Sequence, residues 1–186
     1  MADPALNIPR ISAKEYIELE RDATCRHEFV DGIVYAMAGA TKAHNFIAGD
    51  AYAAILTKLA PPCQVYLLEV KVQVAANDTE RYYYPDVLVS CSDLDNDSYI
   101  SRQPVLIIEV VSKTTESLDR NDKFAAYRLL SSFQEYVLVL QDRPQVEVYR
   151  RRTGWQQELF GRADEVTLES ISQTVPVAAF YRRVKF

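Results

Sequence analysis

Residues 105–111, VLIIEVV, constrain the fold more than any other part of this 186-residue chain. A nearly unbroken run of apolar, largely β-branched residues reads as a strand buried on both faces, with a neighbour on each edge and cover above and below. A strand of that kind demands a large core. With 48% apolar and 25% charged residues, a chain of this length buries roughly 70% of its unfolded surface and needs no disulfide or metal staple. It is read as one domain spanning 1–186.

The flanking pattern supplies what that strand requires. Ser12 and Glu15 form a capping-box pair, predicting a short helix through about Glu20. HEFVDGIVYAM alternates around Asp31-Gly32, a pair suited to a two-residue hairpin turn. Apolar residues at helical spacing predict a helix over 45–60, stopped by Pro61-Pro62. Strands are expected at 64–75 and 82–91 before the central one. A helix over 120–130 with Asp119 as its N-cap follows, then strands at 136–140, 146–150 and near 155–160. The expected class is α+β. It has a mixed sheet flanked by helices, a core order of helix, three strands, helix and strand, and an N-terminal helix and hairpin added.

Charge and cysteine content narrow the function. Lys and Arg number 21 against 26 Asp and Glu, a net charge of -5, which excludes bulk coating of nucleic acid or anionic membrane but not a local groove. Cys25, Cys63 and Cys91 show no CxxC spacing, so they are expected to be reduced, with Cys91 a small buried apolar residue. Neither a secretory leader nor a membrane-length apolar run is visible, and a cytoplasmic location is expected. Phosphate-cradling glycine loops and HExxH are absent. Asp93, Asp95 and Asp97 alternate like a calcium loop, but Ser98 and Pro104 occupy the glycine and glutamate positions, so a solvated turn is expected.

Two acids break the apolar pattern. Glu109 interrupts the central strand, where an ionised carboxylate costs several kcal/mol unless paired or coordinated. Asp86 follows Pro85 at the mouth of another apolar strand. If the two strands are neighbours, both carboxylates converge on one side and suit a hard cation; the alternative is that each caps a turn or pairs with an arginine. Lys123 lies early in its helix, where the macrodipole disfavours a cation, on a face shared with Tyr127 and Leu130. The alternative for Lys123 is a surface lysine paired with Asp119 or Asp122.

The segments YYYPDVLV, LIIEVVSKTTESLDRNDKFAAYR and EYVLV resemble a bacterial restriction-endonuclease family within the PD-(D/E)XK nuclease superfamily, from HEFVDG to the strand near Tyr149. The resemblance implies that Asp86, Glu109 and the Val110 carbonyl bind Mg²⁺ or Mn²⁺. The usual motif has its lysine two residues after the second acid, where this chain has Val111, and Lys123 is its replacement from the helix. Glu28 matches an acid of the hairpin, and His44 a histidine at the start of the long helix. Glu69 stands where relatives carry aspartate and, with Tyr127, is expected to support the site from behind. Lys113 stands where the family often has proline.

The expected reaction is hydrolysis of a nucleic-acid phosphodiester, with DNA the favoured substrate. Lys71, Lys113, Arg120 and Arg128 are candidate phosphate contacts. The competing class is a binding or assembly module that keeps the nuclease fold without turnover. A homodimer is expected from the two-fold symmetry of duplex cutting. The arginines at 150–152 and 182–183 are expected to face DNA or a partner, or to guard sheet edges.

Overall fold

The computed structural model describes residues 10–37, 39–76, 79–112 and 116–186. Helix α1 (Ala13–Arg21) starts at Ser12, with both halves of the capping box formed. The hairpin β1 (His27–Val30) and β2 (Ile33–Ala36) turns at Asp31 and Gly32, whose φ values of 49° and 97° match the twist of the flanking strands. Helix α2 (Lys42–Leu56) is capped by the Thr41 side chain and ends at Thr57, before the prolines that were expected to stop it.

Each of the two long strands expected before the central one is split in two. The first becomes β3 (Gln64–Leu67) and β4 (Lys71–Ala76), broken at Leu68, which takes a φ of 61°. The second becomes β5 (Thr79–Tyr83) and β6 (Val87–Ser90), broken at Pro85, whose missing N–H cannot continue a ladder. The two breaks lie side by side, joined by a bond from Leu68 N–H to the Asp86 carbonyl at 3.0 Å. Both strands therefore change sheets together.

A five-stranded sheet runs β2-β1-β5-β4-β7, closed at one edge by the short β7 (Ile100–Ser101). The six-stranded sheet runs β11-β10-β9-β8-β6-β3. Its members are β8 (Pro104–Val111), β9 (Glu135–Leu140), β10 (Gln145–Arg150) and β11 (Gln157–Gly161) beside β3 and β6. Strand β8 is central, antiparallel to β6 and parallel to β9, so the sheet is mixed as expected. Leu106, Ile108 and Val110 pack toward α2. Ile107 and Val111 face the opposite way, toward Ala126, Tyr127, Phe133 and Tyr136. The expected α+β class with helices flanking the sheets is observed.

Several details differ from the sequence expectation. Asp119 is not an N-cap: the chain is π-helical over Leu118–Lys123 and becomes α3 only at Phe124–Tyr127. Asp119 cannot cap because the chain is already helical at Glu116 and Ser117, and its buried carboxylate lies 3.7 Å from Lys123. Cys63 and Cys91 form a disulfide rather than remaining reduced. Pairing of Gln64 with Ser90 across β3 and β6 brings the two cysteines together, a juxtaposition that sequence spacing does not reveal. The hairpin β12 (Glu165–Leu168) and β13 (Gln173–Pro176) was not anticipated. Asp95 and Asp97 fold onto the backbone and side chains of 99–103, satisfying their own loop.

The terminal arginines are committed within the chain. Arg150, 3% exposed, donates to Glu135, itself 1% exposed, and to the Thr167 carbonyl at 2.7 Å. Arg152 pairs with Glu169, and Arg182 and Arg183 both reach Asp50 on α2. Glu135 also accepts from the Ser170 N–H and hydroxyl, so this ion pair ties β12–β13 to the large sheet. Removing Arg150 leaves Glu135 buried without its counter-charge, held only by the neutral donors of 169–170. Arg150→Ala is expected to lose about 3–5 kcal/mol in urea denaturation; a loss under about 1 kcal/mol would contradict this account.

Candidate active site

Alternation along β8 puts Glu109 on the face of Ile107 and Val111, toward α3, while Val110 points to α2. Val87 pairs with Ile108, so one further step of the register sets Asp86 across from Glu109. The two meet there: the Asp86 N–H donates to Glu109 Oε2 at 3.3 Å. Because β6 begins only at Val87, the Val110 N–H has no strand partner on that side and donates to Asp86 Oδ2 at 2.7 Å. The other oxygen of Asp86 lies 2.8 Å from His44 Nε2, delivered by the first turn of α2.

Lys123 closes the cluster from the π-helical turn. Its Nζ lies 3.0 Å from Glu28 Oε1, 3.4 Å from Glu109 Oε1 and 3.7 Å from Asp119 Oδ1. The Tyr127 hydroxyl donates to the same Glu109 oxygen at 3.2 Å. Of the alternatives open for Lys123, pairing with Asp119 occurs, but on a lysine only 6% exposed and shared with two further acids.

Four buried carboxylates, Glu28, Asp86, Glu109 and Asp119, thus share one ammonium and one imidazole. Burial pushes the Glu109 carboxyl well above its ordinary value; Lys123 opposes this, while Asp119, Asp86 and Glu28 add to it. Burial pulls Lys123 down, but Glu109, Glu28 and Asp119 outweigh it and keep the ammonium charged. Burial likewise acts against a charged His44, and the bond and charge of Asp86 overcome it. Complete burial raises the Tyr127 phenol far above its usual range, so it acts as a donor.

The cluster forms the floor of a cleft of about 780 Å³. Its wall includes Tyr35 from β2, with Met37 and Thr41 from the segment joining β2 to α2. The four acids are oxygen donors, as a hard divalent cation prefers. Drawn onto Lys123, His44 and Val110 as they are, the His, Cys, Asp and Glu side chains make no ready three-ligand cluster among the described residues.

Asp86, Glu109, Lys123, Glu28, His44, Val110 and Tyr127 are therefore brought together. The other expected contributors are not. Glu69 is exposed and paired with Arg26 at 2.8 Å. Lys71 is buried, donating to the Tyr84 hydroxyl at 3.1 Å, with burial lowering its pKa. It braces Tyr84, whose N–H donates to Glu28 Oε1 at 3.2 Å. Arg120 is held by Glu147 and Glu116. Arg128 lies over the rings of Phe124 and Trp155. Lys113 lies outside the described residues. Asp119, expected as a cap or a partner of Lys123, joins the acid cluster, and Tyr84 supports Glu28 with no signal in the sequence.

With a buried acid pair, a charged lysine and a cleft established, likeness to known proteins becomes informative. The family model Uma2, described as Putative restriction endonuclease, matches residues 13–178. The chain belongs to this family. It is 30% identical to the uncharacterized protein slr1290 of Synechocystis, covering 98% of this chain and 97% of that one. A second Synechocystis protein, sll1609, is 31% identical over 84% of this chain and 91% of its own length. The crystal structure of a putative nuclease belonging to DUF820 from Anabaena variabilis aligns with a TM-score of 0.74 at 16% identity. The match covers 92% of this chain and 98% of that one, which establishes a shared fold. Among the described residues, no helix is long and apolar enough to cross a membrane.

Crowded acids have a measurable consequence without metal. The native pKa of Glu109 lies above its ordinary 4.5. Its stabilising contribution is therefore complete below that value and is lost as pH rises through the native pKa. In EDTA, Glu109→Gln is expected to match wild type near pH 4 and to be more stable at pH 8 in urea denaturation. A less stable variant at pH 8 would mean that the carboxylate is fully compensated.

Proposed function

We propose that this chain is a metal-dependent endonuclease that hydrolyses phosphodiester bonds of DNA. The observation that carries this reading is the surplus of buried carboxylate around Lys123 on the floor of an open cleft. Such a surplus is costly for folding alone and is relieved by a divalent cation. Asp86, Glu109 and the Val110 carbonyl would hold Mg²⁺ or Mn²⁺, with Glu28 on the opposite wall. When bound, the ion supplies Lewis acidity toward a phosphate oxygen and acidifies water.

The protein's own residues do the rest. The Val110 N–H and His44 fix the two oxygens of Asp86, and Tyr127 orients Glu109. Lys123, kept charged by its acids, orients the attacking water and donates toward charge growing on the phosphate in the transition state. A second reading, a nuclease-fold binding module without turnover, is favoured by the closed ion pairing and the lack of a ready three-ligand cluster among the described residues.

Calorimetric titration with Mn²⁺, followed by a DNA cleavage assay, separates the readings. Asp86→Asn is expected to abolish the binding heat and cleavage together. Lys123→Gln is expected to retain Mn²⁺ binding and lose roughly 10²–10³-fold in rate. Wild-type protein that binds DNA equally in EDTA and in Mg²⁺, with no cleavage, would establish the module instead.

A further inference from the structure

The wall of the cleft carries an exposed apolar pair that the chemistry above does not use. Tyr35 pairs directly with Glu28 across β1 and β2, and residues opposite one another in an antiparallel pair share a face. Tyr35 therefore stands on the same side of the sheet as Glu28. Met37, two residues on, returns to that side, held by a bond from its N–H to the Arg26 carbonyl at 2.9 Å. Both line the cleft, yet Tyr35 is 49% and Met37 39% exposed.

The charges around them oppose a purely electrostatic grip. Among the described lining residues, Glu28, Asp86, Glu109, Asp119 and Asp122 face His44, Lys123 and Arg81. Lys123 is already shared among three acids, and Arg81 is clasped by Asp31 at 2.8 and 3.0 Å. Phosphate neutralisation, the usual source of DNA affinity, has few free cations to draw on among the described lining residues. A half-exposed phenol ring beside the acids offers a different contact, stacking against the face of a base, which every nucleobase presents. In a duplex both faces of a base are already covered by its neighbours, so only an unstacked base can take that place.

Resting on the nuclease reading, we propose that Tyr35, flanked by Met37, is a stacking platform for an unpaired base next to the scissile phosphate, making single-stranded DNA the preferred substrate. The test is binding of a short single-stranded DNA containing 2-aminopurine, and of its duplex, to the full chain with Ca²⁺ present. Wild type is expected to bind the single strand more tightly and to quench the 2-aminopurine emission. Tyr35→Ala is expected to weaken single-strand binding about tenfold while keeping the wild-type unfolding transition, and Tyr35→Trp to restore both affinity and quenching.

Equal single-strand binding by wild type and Tyr35→Ala overturns the platform and leaves the nuclease reading standing. So does a preference for duplex, or a Tyr35→Ala effect confined to oligomeric state, which would make the free edge of β2 a contact between copies. A wild-type chain that binds neither form of DNA overturns the nuclease reading and the platform together.

Discussion

The site depends on one ammonium set among acids. Lys123 reaches Glu28, Glu109 and Asp119 from a buried position, and without it their charges would face one another in a medium of low polarity. Each partner comes from a different part of the fold: the hairpin, the central strand, and the π-helical turn that carries Lys123 itself. The cluster consequently works as a tertiary clamp. Its compensation is incomplete, as the raised Glu109 carboxyl shows.

The geometry that makes this possible is a shared break in two strands. Had 64–75 and 82–91 run on unbroken, β8 would be paired along its whole length and the Val110 N–H would face a backbone carbonyl. The break at Pro85 delays the start of β6 to Val87, leaves that donor open and lets Asp86 occupy it. The break at Leu68 follows the same bend. Both strands then enter the five-stranded sheet, whose hairpin brings Glu28 and Tyr35 over the cleft. Opening the site and building its wall are one topological event. Farther from the site, Glu135 with Arg150 and Asp50 with Arg182 and Arg183 tie the C-terminal segments back onto the core. Of the arginines expected to face DNA or a partner, Arg150 is buried in this way, while Arg152, Arg182 and Arg183 are paired with acids at the surface.

Much of this could be read before the fold was seen, because it rests on local rules. Binary pattern identified β8, the hairpin turn and the capping box of α1, and an acid in an apolar run marked Glu109 as requiring a partner. Lys123 stood out as a cation expected in a first helical turn, although the chain is already helical at Glu116 and Lys123 lies well inside the helical stretch. Residues whose roles depend on remote neighbours were misjudged. Lys71 looked like a surface cation but is buried against Tyr84. Glu69, a residue beyond the Leu68 bend, faces solvent and Arg26. Cys63 and Cys91 are brought together only by β3–β6 pairing.

The sequence by itself determined the first two helices, the N-terminal hairpin and the strands around β8, that a buried acid and an out-of-place lysine needed explanation, and which family motifs carry them. Those properties follow from side-chain polarity and from periods of two and 3.6 residues, which need no partner. Tertiary structure alone decided that Asp119 is a site acid and not a cap, that the two long strands change sheets at Leu68 and Pro85, and that Tyr35 lies over the cleft beside Glu28. Each of these depends on strand register and on charges brought together from distant positions. The electrostatic energy of such groups exists only once the chain has removed them from water.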